Sequence, residues 1–342
     1  MQGRCHSFVT QLTYICICFI MVLYVKSRMQ KGNVSMSENV NVCEYIESNC
    51  VHVEADCFDL EQIMESGQCF RIYKLSLQEQ EKLCKSKGLE NCESMAWYRV
   101  MAADKKVFVC QNGVHLIFFC SKEEYKQFWC HYFDLDFDYR SYEKAIDADD
   151  NYLKSAFAYG KGIRILNQDP WEMLITFLIS QRKSIPAIRT AVERLARCCG
   201  EPLSAEGDEV FLFPTPQQLC GLSGAQLMGC GLGYRTRYIQ NAAAQASSGT
   251  LDLGALAALP DDALFSRLLE LDGVGKKVAN CVCLFGYGRT AMAPIDVWIQ
   301  RLIDEEFGGR DPFPSYGQQA GIVQQYLFYY KRSTSRSVAH KK

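Results

Sequence analysis

The sequence predicts an α+β protein in which a small antiparallel sheet domain precedes an all-α domain. Between residues 41 and 147, short runs rich in β-branched and aromatic residues alternate with turn signals, a pattern typical of strands. From residue 148 to 331, apolar residues recur at intervals of three and four, which indicates amphipathic helices. With 342 residues, 48% of them hydrophobic, the chain is long enough to build a core in each domain.

The first domain contains four candidate strands, at 68–74, 96–102, 106–111 and 114–120. Asn112-Gly113 separates the last two, and this dipeptide favours a type I′ hairpin because both central residues must adopt positive φ. We expect one or two helices to accompany this sheet.

The second domain contains a series of candidate helices separated by short breaks with Gly, Pro or Asp, which end helices. They are predicted at 170–180, 184–197, 215–221, 234–247, 261–270, 276–287 and 317–331. Residues 332–342 are basic and polar, and we expect them to form a frayed tail.

Residues 1–40 form a hydrophobic extension ahead of the sheet domain. The nearly uncharged run 8–25 just reaches the length of a membrane span, so it could be an anchor. The alternative is an upstream extension of a chain that starts at Met29 or Met36. We favour the second interpretation, because everything after residue 40 has the pattern of a soluble intracellular protein, with the cytoplasm, or the nucleoid of a bacterium, as its expected location.

Composition narrows the chemistry further. The 18 cysteines are scattered with no CxxC spacing, so we interpret most of them as small core residues rather than disulfide partners. No histidine lies between residues 132 and 339, which excludes a histidine base or zinc ligand there, and we expect no metal or cofactor. Residues 1–150 carry 16 basic and 22 acidic side chains, and residues 151–342 carry 21 and 17. The excess of basic over acidic side chains in residues 151–342 permits phosphate binding but does not require it.

The most informative segment is 262–287, where a helix ends before Gly273-Val274-Gly275 and a second helix follows. Two glycines around one apolar residue allow a tight turn whose backbone can approach another surface closely. The free amide groups and positive dipole end of the second helix then suit a phosphate. By itself the pattern is equally consistent with an ordinary αα-hairpin.

Three residues near this turn could carry chemistry. Lys277 and Cys281 are four residues apart and therefore share one helical face. Asp296 directly precedes another amphipathic segment and is placed to cap that helix. Taken singly, the lysine could be a solvated surface residue and the aspartate only a cap.

The segment GVGKKVANC, followed by Asp296, resembles the catalytic segment of the bifunctional helix-hairpin-helix DNA glycosylases, and most closely that of the 8-oxoguanine DNA glycosylases. The resemblance implies a TBP-like sheet domain, with Lys277 as the nucleophile and Asp296 stabilising positive charge on the sugar. Attack at C1′ needs an unprotonated amine, and an ordinary lysine is almost fully charged at neutral pH. The family's chemistry therefore needs a partly apolar pocket that favours the neutral amine.

The resemblance also implies a pocket for a base taken out of the duplex. The segment SGQ-x-FR matches the family at Gly67, whose carbonyl would accept the N7–H that only oxidised guanine has. The last helix matches at Gln324 and Phe328. Gln324 would bond the Watson–Crick edge, while Phe328 and Cys281 would stack on opposite faces of the base.

The duplex itself is the partner that the resemblance implies, bound by a monomer. Gly273, Val274 and Gly275 would bind the DNA backbone. Tyr234 would fill the gap left by the extruded base and Arg235 would contact the opposite cytosine. The chain departs from the eukaryotic pattern at Arg182, where asparagine is usual, which puts the preference for cytosine in doubt. It also departs at Trp298, where a histidine is common, which puts one phosphate contact in doubt.

Four other interpretations were weighed. An endonuclease III-like enzyme would carry cluster-binding cysteines after the catalytic aspartate, and this chain has no cysteine beyond Cys283. An alkylated-purine glycosylase needs the aspartate but not Lys277. A noncatalytic helix-hairpin-helix DNA-binding protein needs neither pocket nor lysine. A membrane-anchored enzyme of unrelated chemistry would be indicated only by residues 8–25.

Overall fold

The computed structural model describes residues 42–47, 50–87, 95–146, 150–205 and 208–339. The apolar run 8–25 lies outside these ranges. Within them, no helix has both the length and the apolar character needed to cross a bilayer.

The N-terminal domain is built on a six-stranded sheet with the order β1-β2-β6-β5-β4-β3, in which every neighbouring pair is antiparallel. The predicted strand at 68–74 is shorter than expected, because only its last three residues pair with a neighbour. The strands are β1 (Val42–Glu47), β2 (Cys50–Ala55), β3 (Ile72–Lys74), β4 (Ala96–Ala102), β5 (Lys105–Asn112) and β6 (His115–Phe118).

Both faces of this sheet are covered. One face, which includes Val53 and Phe118, packs against helix α1 (Leu60–Glu65) and the helical residues 122–132. The other face carries Trp97 and packs against helix α2 (Leu77–Ser86). Because successive side chains of a strand point to opposite faces, the central strands are buried on both sides. This explains why their sequences are apolar at consecutive positions.

The hairpin between β5 and β6 is present, but the predicted turn type is wrong. Asn112 pairs with His115, so the two loop residues are Gly113 and Val114. Of these only Gly113 has a positive φ, at 58°. This is the type II′ pattern, in which glycine occupies the first central position, whereas the sequence suggested type I′ with Asn112 in the loop.

The second domain is helical, as predicted, with one small hairpin formed by β7 (Pro202–Ala205) and β8 (Asp208–Phe211). The larger helices from residue 140 onwards are α3 (Arg140–Ala145), which precedes this domain, α4 (Asn151–Tyr159), α5 (Pro170–Ser180), α6 (Ile185–Cys199), α7 (Pro216–Cys220), α8 (Gly224–Gly229), α9 (Thr236–Ser247), α10 (Leu253–Leu256), α11 (Asp261–Leu269), α12 (Lys276–Tyr287), α13 (Val297–Glu306) and α14 (Ala320–Ala339). The last helix continues past residue 331, so much of the predicted basic tail is helical.

Helix α5 is the centre of this domain. Asp169 caps its start by accepting the Glu172 N–H at 2.8 Å, and Pro170 occupies the first turn, where a missing N–H costs nothing. Every residue from Trp171 to Ser180 is buried, and α12 packs along it. The buried helix therefore delivers its C-terminal residue, Ser180, to a fixed position beside α12.

Two buried polar side chains join the domains. The Gln68 side chain donates to the Arg164 carbonyl at 2.8 Å and accepts the Leu166 N–H at 2.9 Å. The Arg164 guanidinium donates to several backbone carbonyls, including that of Cys57 at 3.0 Å and that of Asp134 at 2.6 Å. Buried groups with all these partners fix the sheet domain firmly on the helices.

The free energy of unfolding should depend on pH through the buried carboxyl group of Glu172. Burial raises the pKa of its carboxyl from the ordinary value of 4.5 to about 7, although the neighbouring Arg71 opposes the rise. The folded protein therefore holds a proton that the unfolded chain has released between these pH values. We expect the free energy of unfolding to fall by about 3 kcal/mol from this group as pH rises from 4.5 to 7. Denaturant unfolding between pH 5 and 8 should show this slope in the wild type and a shallower slope in Glu172→Gln; parallel slopes would contradict the assignment.

Candidate active site

A cavity of about 750 Å³ lies where the sheet domain meets the helices. It brings together side chains that are up to 265 positions apart in the chain. The lining residues are Gly67, Phe70, Phe177, Ser180, Gln181, Arg182, Lys183, Ser184, Ile185, Ile188, Lys277, Ile295, Asp296, Val297, Trp298, Gln300, Phe328 and Arg332. Six of the residues singled out from the sequence therefore line one cavity: Gly67, Arg182, Lys277, Asp296, Trp298 and Phe328.

The Lys277 amine is held in this cavity by α5. Lys277 is the second residue of α12, and its Nζ donates to Ser180 Oγ at 3.1 Å. The same Nζ lies 4.7 Å from the centre of the Phe177 ring. The Ser180 hydroxyl is itself oriented, because it donates to the Phe177 carbonyl at 2.8 Å. A hydroxyl and an aromatic face together fix the position of a primary amine at the cavity wall.

Asp296 caps α13, as the sequence predicted. Its Oδ1 accepts the N–H groups of Trp298 at 2.9 Å and Ile299 at 3.0 Å. Both bonds go to one oxygen, and the positive end of the helix dipole stabilises the carboxylate. The cap therefore places a negative charge on the same cavity as Lys277.

Cys281 and Gln324 lie behind the cavity wall. Burial raises the pKa of the Cys281 thiol to about 11, with Lys277 acting in the opposite direction and Asp296 in the same one. Cys281 is thus a neutral side chain close to Lys277 and Asp296. Gln324 is 3% exposed, and its Nε2 donates to the Pro294 carbonyl at 2.9 Å, which fixes the loop that carries Asp296.

Gly67 lies directly against Phe328. Its φ of 81° belongs to the left-handed region, and a Cβ at this position would be 3.2 Å from the Phe328 ring and 3.1 Å from Ile185. Glycine is therefore required both by backbone conformation and by space. The backbone of residue 67 and the ring of residue 328 therefore lie side by side in the cavity wall.

The hairpin turn is also shaped by a close approach. Gly273 has a φ of 80°, and a Cβ there would be 2.4 Å from the Tyr238 ring. Val274 is buried in the domain core, whereas Gly275 caps α12 without a side-chain bond. The first amide groups of α12 consequently have no capping side chain at residue 275, which suits an anion at this end of the helix.

Tyr234 and Arg235 lie in a short 3₁₀ segment, Gly233–Arg235, before α9. Tyr234 is 54% exposed, whereas Arg235 is 6% exposed and stacks on the Tyr234 ring at 4.4 Å. The Arg235 guanidinium donates to the carbonyls of Leu232 and Gln181. Of this pair, only the tyrosine is presented to the surface in this arrangement.

Gln181 connects these surface segments and was not among the site residues predicted from the sequence. Its Nε2 donates to the Gly273 carbonyl at 3.1 Å, and its own carbonyl accepts from Arg235. The next residue, Arg182, has a φ of 52°, unusual for a residue with a side chain. Ser180 was also missed. The only sequence signal nearby was that the adjacent Arg182 departs from the eukaryotic pattern.

Comparisons with known proteins agree with this site. Residues 50–174 match the family model of the 8-oxoguanine DNA glycosylase N-terminal domain. Residues 175–318 match that of the HhH-GPD superfamily base excision DNA repair proteins. A probable N-glycosylase/DNA lyase of Methanothermobacter thermautotrophicus is 29% identical over 58% of this chain and 72% of its own length.

Two solved structures share the fold of both domains over most of this chain. MBOgg1, in complex with a low-affinity DNA ligand, has a TM-score of 0.77 and 31% identity, covering 86% of this chain and 100% of its own. The 8-oxoguanine glycosylase/lyase of Clostridium acetobutylicum, in complex with DNA containing cytosine opposite 8-oxoguanine, has a TM-score of 0.75 and 29% identity, covering 89% and 99%. The cavity, the two matching domains and these relatives together show that the chain belongs to the 8-oxoguanine DNA glycosylases of the HhH-GPD superfamily of base excision DNA repair proteins.

Proposed function

We propose that this protein is a bifunctional DNA glycosylase and AP lyase that removes 8-oxoguanine from duplex DNA. The observation that carries the proposal is the single cavity lined by Lys277, Asp296, Gly67 and Phe328. An amine and a carboxylate lie on the same cavity as a glycine backbone and an aromatic ring, which is what base excision through a lysine requires.

In the first step, the neutral Lys277 amine attacks C1′ of an extruded nucleotide. The bond between C1′ and the base nitrogen breaks, and the base leaves with the electron pair and takes up a proton. Asp296 stabilises the positive charge that develops on the sugar as this bond breaks. Its cap bonds keep the carboxylate in place without reorganisation during the reaction.

In the second step, the sugar ring opens and the Lys277 nitrogen forms a Schiff base with C1′. Loss of a proton from C2′ then allows β-elimination, which breaks the bond to the 3′ phosphate and nicks the strand. Water hydrolyses the Schiff base and releases the amine unchanged. The Ser180 hydroxyl, 3.1 Å from Nζ, orients the amine at the start of this cycle.

The part of the cavity beside Gly67 and Phe328, the base slot, would select the base. Phe328 would stack on one face, with the Cys281 side of the wall closing the other. The Gly67 carbonyl would accept N7–H of 8-oxoguanine, whereas ordinary guanine would present a lone pair to it. Gln324, which lies behind the wall, would bond the Watson–Crick edge after its amide turns from the Pro294 carbonyl.

The duplex would bind across the adjoining surface. The Gly273-Val274-Gly275 turn would bind a phosphate of the DNA backbone through the first amide groups of α12. The exposed Tyr234 would fill the gap left by the extruded base. Arg235, which now bonds the Gln181 carbonyl, and Arg182 would contact the estranged base. We propose that the enzyme acts as a monomer. Because its substrate is DNA, it would work in the cytoplasm, on the nucleoid if the source is bacterial.

The test uses duplexes that contain 8-oxoguanine opposite each of the four bases. We expect release of 8-oxoguanine, nicking of the same strand, and a covalent protein–DNA adduct when borohydride reduces the Schiff base. The series of opposite bases would measure the preference that Arg182 leaves open. Release of a methylated purine without any adduct would instead indicate an alkylated-purine glycosylase, and DNA binding with no release would indicate a noncatalytic protein.

A further inference from the structure

Two arginines of the helical domain hold the end of helix α1, immediately before Gly67. The Met64 carbonyl accepts from Arg189 Nη2 at 3.2 Å, and the Glu65 carbonyl accepts from Arg332 Nη2. These carbonyls belong to the last turn of α1, where the dipole and the unbonded oxygens attract cations. The segment that carries Gly67 is therefore fixed from the other domain.

Arg332 lies against both Gly67 and Phe328 at the base slot. It is 4% exposed, and its guanidinium lies 5.4 Å above the Phe328 ring. A Cβ built on Gly67 would be 3.6 Å from Arg332 Nη1. One planar side chain thus bonds the backbone two residues before Gly67 and lies over the ring beside it, a combination that lysine cannot reproduce.

The depth of the Gly67 carbonyl, that is, the distance of its oxygen from N7–H of a bound base, matters because N–H···O hydrogen bonds in proteins span only about 2.7–3.2 Å. Glycine has more backbone freedom than any other residue, so the loop does not set this depth by itself. Because Arg332 contacts both, it fixes the position of the Gly67 loop relative to the Phe328 ring. It therefore also fixes the loop relative to the plane of a base stacked on that ring.

We propose that Arg332 is a positioning residue for lesion recognition, which holds the Gly67 carbonyl at the height of N7–H on a base stacked against Phe328. This proposal rests on the proposed 8-oxoguanine glycosylase function. Arg332 would take no part in the attack by Lys277. Its loss would weaken discrimination between bases and leave the Schiff-base chemistry intact.

The test compares Arg332→Met and Arg332→Lys with the wild type in single-turnover assays. One substrate is 8-oxoguanine, the second is its analogue with N7 replaced by carbon, and the third is an abasic site. We expect Arg332→Met to slow excision of 8-oxoguanine by about 10- to 100-fold, the equivalent of one misplaced buried hydrogen bond. Excision of the analogue should change little, so the ratio of the two rates should fall. Arg332→Lys should lie between.

Lyase activity and borohydride trapping at the abasic site should stay within about twofold of the wild type, because no base occupies the slot there. Arg197→Met is the matched control. Arg197 is an exposed arginine on the same helix as Arg189, paired with Glu193 at 3.1 Å, and its loss should leave the ratio unchanged.

An unchanged ratio in both Arg332 variants would overturn the proposal, as would equal losses with all three substrates. Either result leaves the proposed function intact provided that the wild type excises 8-oxoguanine. A wild type that fails to excise it would overturn the proposed function and this inference together.

Discussion

Lys277→Gln should abolish the borohydride-trapped adduct and slow base excision by about 10³-fold or more, because the substituted side chain has no amine to attack C1′. Glutamine has similar length and can still bond the Ser180 hydroxyl, so the cavity should keep its shape. DNA affinity should change little, since the hairpin turn and Tyr234 are untouched. The measurements are single-turnover excision, adduct trapping and equilibrium binding to the same 8-oxoguanine duplex.

Lys276→Gln is the matched control for this prediction. It makes the same chemical change on the preceding residue, which is exposed and does not line the cavity. The control should form the adduct at saturating DNA. An adduct that persists in Lys277→Gln, or one that disappears only in Lys276→Gln, would show that another amine is the nucleophile.

Local patterns predicted the elements that carry this chemistry well. Helices at 170–180 and 276–287 were predicted with the bounds that the structure shows, because a Pro, an Asp cap or a glycine turn marks each start. The Asp296 cap was also predicted correctly. In each case the deciding interaction is between residues a few positions apart, which a sequence pattern can display.

Contacts between distant segments could not be predicted in this way. The bond between Lys277 and Ser180 spans 97 positions, and that between Arg332 and Glu65 spans 267. Neither has any periodic signature. Gln181 joins the hairpin turn to the Tyr234 segment, and the sequence marked this place only through the departure of the adjacent Arg182 from a family pattern.

Burial explains the remaining differences from the expected site. The sequence suggested that Gln324 and Arg235 present their polar groups to DNA, whereas the structure directs the Gln324 amide to Pro294 and the Arg235 guanidinium to Leu232 and Gln181. A buried polar group bonds whatever backbone carbonyl lies within reach. Both groups would have to exchange these partners when a base is bound, and their proposed roles depend on that exchange.

Asp296→Asn should separate the electrostatic role of this residue from its role as a helix cap. Asparagine can accept the same two N–H bonds at Oδ1, so the free energy of unfolding should fall by less than about 1 kcal/mol. The negative charge is lost, however, and with it the stabilisation of the developing sugar cation. We expect the rate of excision to fall by about 10²- to 10³-fold while DNA affinity stays within about threefold.

Asp252→Asn makes the same change at another helix cap and is the appropriate control. Asp252 starts α10 by accepting the Ala255 N–H at 2.9 Å and does not line the cavity, so its loss of charge should leave excision unaltered. If Asp296→Asn lost affinity and rate by equal factors, or behaved like Asp252→Asn, the carboxylate would be only a cap. A loss confined to the rate would require a charge that acts as the glycosidic bond breaks, since binding and folding both precede that step.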